Sequence, residues 1–414
     1  MKILIVNTHD IEGGAARAAY RLHCALLEKG IESQMLVQNK KSDDFTVKTV
    51  ADSKLERIMA FLRPKMEALP LKLYKNRKRV LFSSAWVPSC ATVRKINAMK
   101  PDIVHLHWIC NGVLRIEDLA KIEAPIVWSL HDMWAFTGGC HYDKECGKYL
   151  AECGVCSVLG SSVENDLSRK VFERKRRTYF KMDRMYIVGL SKWLHKTAKQ
   201  STLLAQKRHI NLPNPIDTTL FKPVDRIEAR KLWRLPQDKK LVLFGAVNPL
   251  EDSRKGFFQL SEALRGINRT GDTELVVFGS SRPENAPEFG FETYYLGSLS
   301  DDVSLVSLYS AVDVVVVPSL QENLSNTIME SLSCGTPVVA FDTGGNSDMI
   351  EHKKNGYLAK PFDAADLAKG IEWVLESDDY ADLCRRAREK VLEEFDAETV
   401  AREYIKLYES ILNG

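Results

Sequence analysis

The sequence predicts an α/β protein made of two doubly wound parallel-sheet domains that face each other across a cleft. Short apolar, β-branched runs alternate with helical patterns along the chain, which is typical of parallel sheets joined by helices. The chain has 414 residues and 45% hydrophobic content, more than a single core normally accommodates. A proline-rich segment at 212–217 separates two such alternating sets. We therefore expect an N-terminal domain over residues 1–213 and a C-terminal domain over residues 217–396.

The predicted strands are short continuous runs of apolar and β-branched residues, the pattern of strands buried on both faces. In the first half of the chain they are residues 2–6, 33–37, 103–107, 126–130 and 186–190. In the second half they are residues 241–245, 274–278, 313–317 and 337–341. Helical patterns lie between most of them, for example at 15–28 and 257–264.

The composition argues against several classes of protein. The net charge of +3 is too small to indicate a nucleic-acid partner. No apolar run reaches the roughly 18–20 residues that cross a bilayer, and the first six residues lead into a strand rather than a signal peptide. We expect a cytoplasmic protein.

Gly13 and Gly14 follow the first predicted strand and precede the first predicted helix. Glycines at such a turn let backbone N–H groups approach a phosphate closely, and the helix dipole favours the anion. The spacing is not the G-x-G-x-x-G of a dinucleotide-binding fold, and glycine pairs are also common in ordinary turns. Contact with the phosphate of a ligand and a simple turn both remain open.

A basic and apolar segment occupies residues 63–79, where seven of seventeen residues are Lys or Arg. Leucines, a methionine and a tyrosine are interleaved with these cations. Such a segment can lie on an anionic membrane surface at the inner face of the cell membrane, and it can equally be a solvated helix. A second basic run at 169–184 has the same two interpretations.

Four cysteines fall within 17 residues, as C-x5-C-x6-C-x2-C, and five others are scattered along the chain. A cytoplasmic setting disfavours disulfides, and four thiolates match a closed tetrahedral zinc site without catalytic function. An iron–sulfur cluster and free thiols are the alternatives. The predicted ligands of a structural zinc are Cys140, Cys146, Cys153 and Cys156.

His131 directly follows the predicted strand 126–130. A single histidine is more often structural than functional, but the carboxyl end of a strand in a doubly wound sheet is where ligands bind. His105 and His107 end the preceding strand, and packing under a loop explains them equally well.

Arg254 and Lys255 lie between the strand 241–245 and the helix 257–264. A cation at the carboxyl edge of that strand can neutralise a departing diphosphate without a metal. Solvated surface charge is the alternative interpretation. Of the two, Lys255 is the stronger candidate.

Glu322 and Glu330 are separated by seven residues and flank the predicted start of a helix at about residue 326. Glu322 belongs to the loop after the strand 313–317, and Glu330 lies about one turn into the helix. Backbone N–H groups at the helix start favour an anion such as a diphosphate, while carboxylates accept hydrogen bonds from diols. Surface charge would produce the same spacing by chance.

The string from Pro318 to Ile350, PSLQENLSNTIMESLSCGTPVVAFDTGGNSDMI, resembles the nucleotide-sugar site of the family 4 retaining glycosyltransferases. By that resemblance Glu322 faces the hydroxyls of the donor sugar, and Glu330 faces the ribose. The diphosphate meets the backbone of residues 323–327, among them Leu324, Ser325, Asn326 and Thr327.

The same resemblance assigns roles elsewhere in the chain. It implies the GT-B fold, in which the N-terminal domain (1–213) binds the acceptor and the C-terminal domain (217–396) binds the nucleotide-sugar donor. The linker 212–217 lies between the domains, and a last helix, at about 397–414, packs back on the first domain. His131 would contact the donor sugar or the transition state. Ala246 stands where the family commonly has an arginine, which leaves Arg254 and Lys255 as the cations. The string HDMWAFTGGCHY and the following cysteines resemble bacterial polysaccharide glycosyltransferases of the colanic-acid type.

The resemblance implies a retaining glycosyltransferase that moves a sugar from a nucleotide-diphosphate sugar to a saccharide, of the lipid-linked class, in bacterial surface polysaccharide synthesis. The catalytic set is His131, Lys255 and Glu322, with no cofactor for the chemistry. Two alternatives are a nucleotide-sugar epimerase of the same fold, which needs no acceptor, and a non-catalytic scaffold that binds nucleotide sugars.

Overall fold

A computed structural model describes residues 1–245, 253–267, 271–279, 281, 289–299 and 301–414. The chain forms two compact units. The N-terminal unit contains residues 1–215 and 400–414, and the C-terminal unit contains residues 216–399. Each unit is built around a parallel sheet.

The sheet of the N-terminal unit has seven strands in the order β3-β2-β1-β4-β5-β6-β7, and every neighbouring pair is parallel. This order matches the doubly wound arrangement, whose connections reverse direction between β1 and β4. The strands are β1 Lys2–His9, β2 Glu32–Asn39, β3 Val47–Thr49, β4 Ile103–Leu106, β5 Ile126–Leu130, β6 Met185–Gly189 and β7 Arg208–Asn211.

Helices cover both faces of this sheet. Alternate residues of β1 show the division, since Leu4 and Val6 join one apolar core and Ile3 and Ile5 join the other. The first five helices are α1 Gly14–Glu28, α2 Lys54–Glu67, α3 Cys90–Ala98, α4 Leu167–Tyr179 and α5 Lys192–Gln200.

The sheet of the C-terminal unit has six parallel strands in the order β10-β9-β8-β11-β12-β13. Counted from its own first strand, this is again the doubly wound order, and its connections reverse between β8 and β11. The strands are β8 Lys240–Gly245, β9 Thr273–Phe278, β10 Thr293–Tyr295, β11 Val314–Val317, β12 Val338–Phe341 and β13 Gly356–Ala359.

The helices of the C-terminal unit also pack on two faces. Leu241 and Leu243 of β8 face one core, and Val242 and Phe244 face the other. The helices are α6 Arg226–Trp233, α7 Phe257–Gly266, α8 Asp302–Ala311, α9 Asn326–Ser333, α10 Asn346–Met349, α11 Ala364–Leu375 and α12 Tyr380–Glu394, with α13 Ala397–Asn413 ending in the N-terminal unit.

The predicted fold class is confirmed, and the nine predicted strands are all present within a residue or three of the expected ends. The strands that the sequence did not reveal are the edge strands of the two sheets, β3, β7, β10 and β13. An edge strand pairs on one side only and is less buried, so it needs no continuous apolar run. In the described part of the chain, no helix is long and apolar enough to span a membrane.

The last helix, α13, is attached to the N-terminal sheet by a buried polar contact as well as by apolar packing. His105, on β4, is buried, with Nδ1 2.7 Å from the Tyr408 hydroxyl and Nε2 2.8 Å from Oγ of Ser129. Oγ of Ser129 is also 3.2 Å from the hydroxyl of Tyr404. Both ring nitrogens therefore have partners, which is the condition for burying an imidazole at low cost.

Two further histidines continue this series toward the carboxyl edge of the sheet. Nδ1 of His107, just after β4, lies 2.9 Å from Nε2 of His131, just after β5. Burial lowers the pKa of His105 to about 3 and that of His131 to about 4. Burial also lowers the pKa of His107 well below its ordinary value. All three imidazoles are therefore neutral at neutral pH.

These histidines predict that acid destabilises the protein. Below about pH 6.5 the unfolded chain takes up protons on these rings while the folded protein does not, so the free energy of unfolding falls as the pH falls. At pH 5, each ring lowers the free energy of unfolding by about 2 kcal/mol relative to its value at neutral pH. We expect the urea midpoint of unfolding to fall steadily between pH 7.5 and pH 5.

An independent readout comes from NMR, because the carbon-bound ring protons of His105, His107 and His131 should keep constant shifts over this range. A constant or rising urea midpoint, or titration of these rings near their ordinary pKa, would contradict the assignment of neutral buried histidines.

Candidate active site

The candidate site of the C-terminal unit lies where its sheet connections reverse. The segments that leave β8 and β11 start side by side, because these strands are neighbours, and ligands of doubly wound sheets bind at this position. After β8, residues 246–252, including Ala246, lie outside the described residues. The described chain resumes with a short 3₁₀ turn at Ser253–Lys255, followed by Gly256 and α7.

Gly256 holds the two segments in contact. Its φ is +68°, and a Cβ atom at this position would lie 1.7 Å from the carbonyl oxygen of Pro318. Only glycine accommodates both the left-handed backbone and this approach. The backbone N–H of Leu320 also donates to the carbonyl oxygen of Arg254 at 2.7 Å. The loop after β8 is thus fixed against the loop after β11.

This contact places Lys255 beside Glu322. Nζ of Lys255 lies 3.1 Å from Oε2 of Glu322, and Oγ of Ser319 donates to the same oxygen at 3.4 Å. The Lys255 side chain is 38% exposed and that of Glu322 is 15% exposed. A cation and a carboxylate that are 67 residues apart in the chain therefore meet at the carboxyl edge within reach of solvent.

The loop after β12 contacts the backbone of Glu322. Gly344 has a φ of +58°, and a Cβ atom there would lie 1.7 Å from the carbonyl oxygen of Glu322. The same oxygen accepts a hydrogen bond from the N–H of Gly345 at 3.2 Å. The Thr343 hydroxyl donates to the carbonyl oxygen of Ser319 at 3.0 Å. The Thr343-Gly-Gly345 turn therefore fixes the backbone of the loop that carries Glu322.

The helix α9 begins at Asn326, as the sequence predicted, and its first turn points its N–H groups toward the same edge. Ser325 precedes the helix, and no side chain caps its N-terminus. The first N–H groups of a helix have no acceptor within it, and the helix dipole adds partial positive charge. Leu324 and Ser325 are buried, and Asn326 and Thr327 are half-buried. These amides are candidates for contact with an anion.

Glu330 lies on α9 and is only 3% exposed. One of its carboxylate oxygens accepts a hydrogen bond from the Tyr309 hydroxyl of α8 at 3.0 Å. Burial raises the pKa of Tyr309 well above its ordinary value, so the hydroxyl keeps its proton and remains a donor. Tyr309 therefore fixes the orientation of the Glu330 carboxylate.

In the N-terminal unit, Gly13 precedes α1 with a φ of +93°, and Gly14 is the first residue of the helix. The N-cap residue, Gly13, provides no side-chain cap. The end of β1 is held against the end of β4 because the Thr8 hydroxyl donates to the carbonyl oxygen of Trp108 at 2.8 Å. Gly13 and Gly14 are thus at the position where the connections of the first sheet reverse.

His131 lies at the carboxyl edge of the same sheet, as a buried neutral ring that contacts His107. The next residue, Asp132, belongs to a network that sequence reasoning missed. Asp132 Oδ2 lies 2.6 Å from Nδ1 of His141 and accepts from Nε1 of Trp108 at 3.0 Å. Nε2 of His141 lies 3.0 Å from Oγ of Ser83.

The chain Ser83, His141, Asp132 has the connectivity of a hydrolytic triad, but Ser83 and His141 are buried. It therefore acts as a scaffold that orients the loop after His131. In the sequence, this network could have been suspected from Asp132 and His141, which are nine residues apart. No sequence pattern pointed to Ser83.

Lys175 hydrogen-bonds to the backbone of the same loop. The sequence placed it in a basic run at the surface, but it is fully buried. Its Nζ donates to the carbonyl oxygens of Trp134 and Thr137 and lies 3.8 Å from the centre of the Trp134 ring. Burial lowers the pKa of Lys175 to about 7.

The four clustered cysteines lie beyond this loop. Cys140 and Cys153 are buried, Cys156 is half-buried and Cys146 is exposed. Burial raises the pKa of Cys140, Cys153 and Cys156. Among the residues that the structure describes, no three or more Cys, His, Asp or Glu side chains form a possible metal-binding group. The structural zinc has no assembled ligand set here and stays a prediction of the sequence.

The predicted donor-binding residues of the C-terminal unit lie on two segments, before α7 and around the start of α9, and the structure brings Lys255 of the first into contact with Glu322 of the second. The full predicted set in this unit is Arg254, Lys255, Glu322, Leu324, Ser325, Asn326, Thr327 and Glu330. Gly13, Gly14 and His131 belong to the N-terminal unit.

Comparisons with known proteins agree with this architecture. Residues 225–391 match the family "Glycosyl transferases group 1". The putative colanic acid biosynthesis glycosyl transferase WcaC of Escherichia coli is 24% identical over 99% of this chain and 100% of its own length. A Campylobacter jejuni N,N'-diacetylbacillosaminyl-diphospho-undecaprenol alpha-1,3-N-acetylgalactosaminyltransferase is 31% identical over 48% of this chain, a match that spans 53% of that relative.

Among solved structures, HepE of Anabaena in complex with UDP-glucose has a TM-score of 0.64. The likeness covers 99% of this chain and 100% of that chain at 16% identity, so it bears on the fold. Two parallel doubly wound sheets of this kind form the GT-B fold. The chain thus has the GT-B fold, and its residues 225–391 are similar to the glycosyl transferases group 1.

Proposed function

We propose that this protein transfers a sugar from a nucleotide-diphosphate sugar to a saccharide acceptor, with retention of anomeric configuration. The proposal depends above all on the Lys255–Glu322 pair beside the N-terminus of α9. We propose that the acceptor is lipid-linked and that the product is a bacterial surface polysaccharide. The name of WcaC supports the polysaccharide, and that of the Campylobacter jejuni relative supports an acceptor on a lipid diphosphate.

The diphosphate would bind at the first turn of α9. Its negative charge is complementary to the helix dipole, to the amides of residues 324–327 and to the Lys255 ammonium. Arg254 is a second cation in the same turn. The solved complex of HepE with UDP-glucose supports a nucleotide sugar as the donor class for this fold.

Glu322 would bind the sugar of the donor. Without donor, Oε2 of Glu322 contacts Lys255. When the Lys255 ammonium binds a diphosphate instead of Glu322, this oxygen becomes available to accept a hydrogen bond from a sugar hydroxyl. The same contact therefore keeps the two side chains in position before the donor binds.

Glu330 would accept hydrogen bonds from the ribose hydroxyls. The residue is 3% exposed, and hydrogen bonds to its charged carboxylate favour a ligand that carries the diol over one that lacks it. Tyr309 presets the carboxylate orientation. We propose that Glu330 selects the nucleoside end of the donor.

The reaction would proceed on one face of the sugar ring. The bond between the anomeric carbon and the diphosphate oxygen breaks, and the acceptor hydroxyl forms its bond to the anomeric carbon on the same side. The acceptor proton moves to the departing diphosphate oxygen. Lys255 and the α9 amides stabilise the charge of this leaving group, so the chemistry as proposed uses neither a protein nucleophile nor a metal.

We also propose that His131 contacts the donor sugar as a neutral imidazole, consistent with its pKa of about 4. Gly13 and Gly14 would contribute backbone N–H groups to the donor phosphates. A lipid-linked acceptor would be met at the cytoplasmic face of the membrane.

The test of the function is a transfer assay on the full chain. Sugars of UDP, GDP and ADP would be incubated with polyprenyl-diphosphate-linked saccharides, with products identified by mass and by NMR of the new anomeric proton. We expect one donor to give an acceptor-dependent product that keeps the donor's anomeric configuration. An inverted product overturns the retaining mechanism. An isomerised sugar formed without acceptor identifies an epimerase, and donor binding without turnover identifies a scaffold.

Glu330→Gln is predicted to weaken binding of the nucleoside diphosphate about 10- to 100-fold, because a charge-assisted acceptor for the ribose is lost. The measurement is isothermal titration calorimetry with the nucleotide that binds the wild type. Tyr309→Phe is the matched control, since it keeps the Glu330 carboxylate and removes only the hydroxyl that orients it, so it should weaken binding less. Equal affinity of Glu330→Gln and wild type would exclude the ribose role.

Lys255→Ala is predicted to lower kcat about 100-fold or more while changing donor affinity less, because the charge on the leaving diphosphate is greatest in the transition state. Steady-state kinetics with the identified donor provide the measurement. Lys354→Ala is the control, since that lysine is exposed and pairs with Glu351 away from the site. If both variants keep wild-type kcat, Lys255 does not stabilise the leaving group.

A further inference from the structure

We propose that α2 and the segment that follows it dock the N-terminal unit on an anionic lipid bilayer. The α2 surface is defined as the exposed side chains of residues 54–81. The inference goes beyond the transfer reaction, because it concerns binding to the membrane itself and stands on a surface remote in sequence from the donor site.

The helix α2 presents its apolar side to solvent. Only Ala60 and Glu67 are buried in this helix, whereas Leu55, Ile58 and Leu62 are exposed, Leu55 by 71%. Residues 55, 58 and 62 share one face of a helix, and residues 60 and 67 lie on the opposite face. A helix that packs in a water-soluble protein normally has the reverse arrangement.

Polar contacts explain how α2 is held without its apolar face. The Arg63 guanidinium donates to the carbonyl oxygens of Gly112 and Val87, the latter at 3.3 Å. An oxygen of the Glu67 carboxylate accepts from the N–H of Ala85 at 3.1 Å. The side of α2 that faces the protein is thus fixed by hydrogen bonds. The leucines and the isoleucine of the opposite, exposed side do not contribute to the folded core.

Further apolar side chains continue the surface beyond the helix. A 3₁₀ turn at Leu69–Leu73 follows α2, and Leu73 is 83% exposed. The exposed large hydrophobic residues of this surface are Leu55, Ile58, Met59, Phe61, Leu62, Leu69, Leu73 and Leu81. Such a concentration within 27 residues is far from the scattered single exposures that soluble surfaces show, and it marks an interaction site.

The charge of this surface indicates its partner. Its exposed cationic residues are Lys54, Arg57, Lys65, Lys72, Lys75, Arg77, Lys78 and Arg79. Glu67 is buried, and the carboxylate of the exposed Glu56 is used to cap α2 by accepting from the N–H groups of Asp52 and Ser53. Exposed apolar residues among many cations, with almost no exposed acid, are complementary to the interface of a bilayer that contains anionic lipids.

The structure extends what the sequence suggested for residues 63–79. The predicted cationic stretch is exposed, but most of the apolar contribution comes from residues 55–62 upstream of it. In this arrangement the apolar residues of α2 would enter the acyl boundary while the cations of residues 72–79 contact the headgroups. Such docking would hold the N-terminal unit where a lipid-linked acceptor resides.

The experiment is flotation of the full-length protein with phosphatidylcholine vesicles prepared with and without phosphatidylglycerol. We expect flotation with the anionic vesicles, loss with the neutral ones, and weakening as the salt concentration rises. Leu55→Ser/Ile58→Ser/Leu62→Ser and Lys72→Glu/Lys75→Glu/Lys78→Glu should each reduce the bound fraction at least about tenfold. The matched control is Ile227→Ser/Leu232→Ser, which changes two exposed apolar residues of the C-terminal unit and should float like wild type.

Two results would overturn the inference. One is flotation that neither triple variant reduces. The other is wild-type protein that stays in solution and forms a dimer by light scattering that the apolar variant dissociates, which would assign the α2 surface to a second copy of the chain. Nucleoside diphosphate affinity is measured in the same preparations. Intact nucleotide binding without flotation counts against the docking surface alone, and flotation without nucleotide binding counts against the proposed function alone.

Discussion

The approach of Gly256 to the Pro318 carbonyl is the constraint on which the candidate site depends. Two loops that leave neighbouring strands β8 and β11 can be this close only because one of them has no side chain at the contact. Gly344 does the same for the loop after β12, against the carbonyl oxygen of Glu322. Because the backbone is fixed at both contacts, Lys255 reaches Glu322 and α9 starts beside them. The charge arrangement is thus a consequence of backbone packing at the sheet edge.

The N-terminal unit is constrained differently, because it contains buried polar side chains that need hydrogen-bond partners inside the core. His105, His107 and His131 stay neutral. His105 hydrogen-bonds to Ser129 and Tyr408, its ring contacts that of His107, and His107 hydrogen-bonds to His131. In the adjoining loop, Asp132 and His141 also have each other as hydrogen-bond partners. This chain of contacts runs from the last helix to the edge of the sheet where His131 lies. It gives His131 a fixed ring and a defined protonation state, both of which a substrate contact requires.

The sequence was sufficient for the parts that local patterns determine. Central strands are continuous apolar runs, so β8, β11 and β12 were predictable. The helical spacing of Ile328, Met329 and Leu332 allowed the start of α9 to be located. The edge strands were missed because one-sided pairing leaves no such run. The pairing of Lys255 with Glu322 was beyond local patterns, since it depends on how two loops pack. Ser83 is 58 residues from its partner His141, and the burial of Lys175 contradicts its basic neighbourhood, so neither could be inferred from spacing.

The central claim is that the nucleotide-diphosphate sugar binds at the carboxyl edge of the second sheet. Hydrogen–deuterium exchange of the full chain, with and without saturating UDP, GDP or ADP, tests it most directly, because bound phosphates protect the amides they contact. The account predicts that one of these nucleotides slows exchange at residues 319–335 and 253–258. Protection confined to residues 1–215, or no protection at 319–335 with any nucleotide that binds, would contradict it.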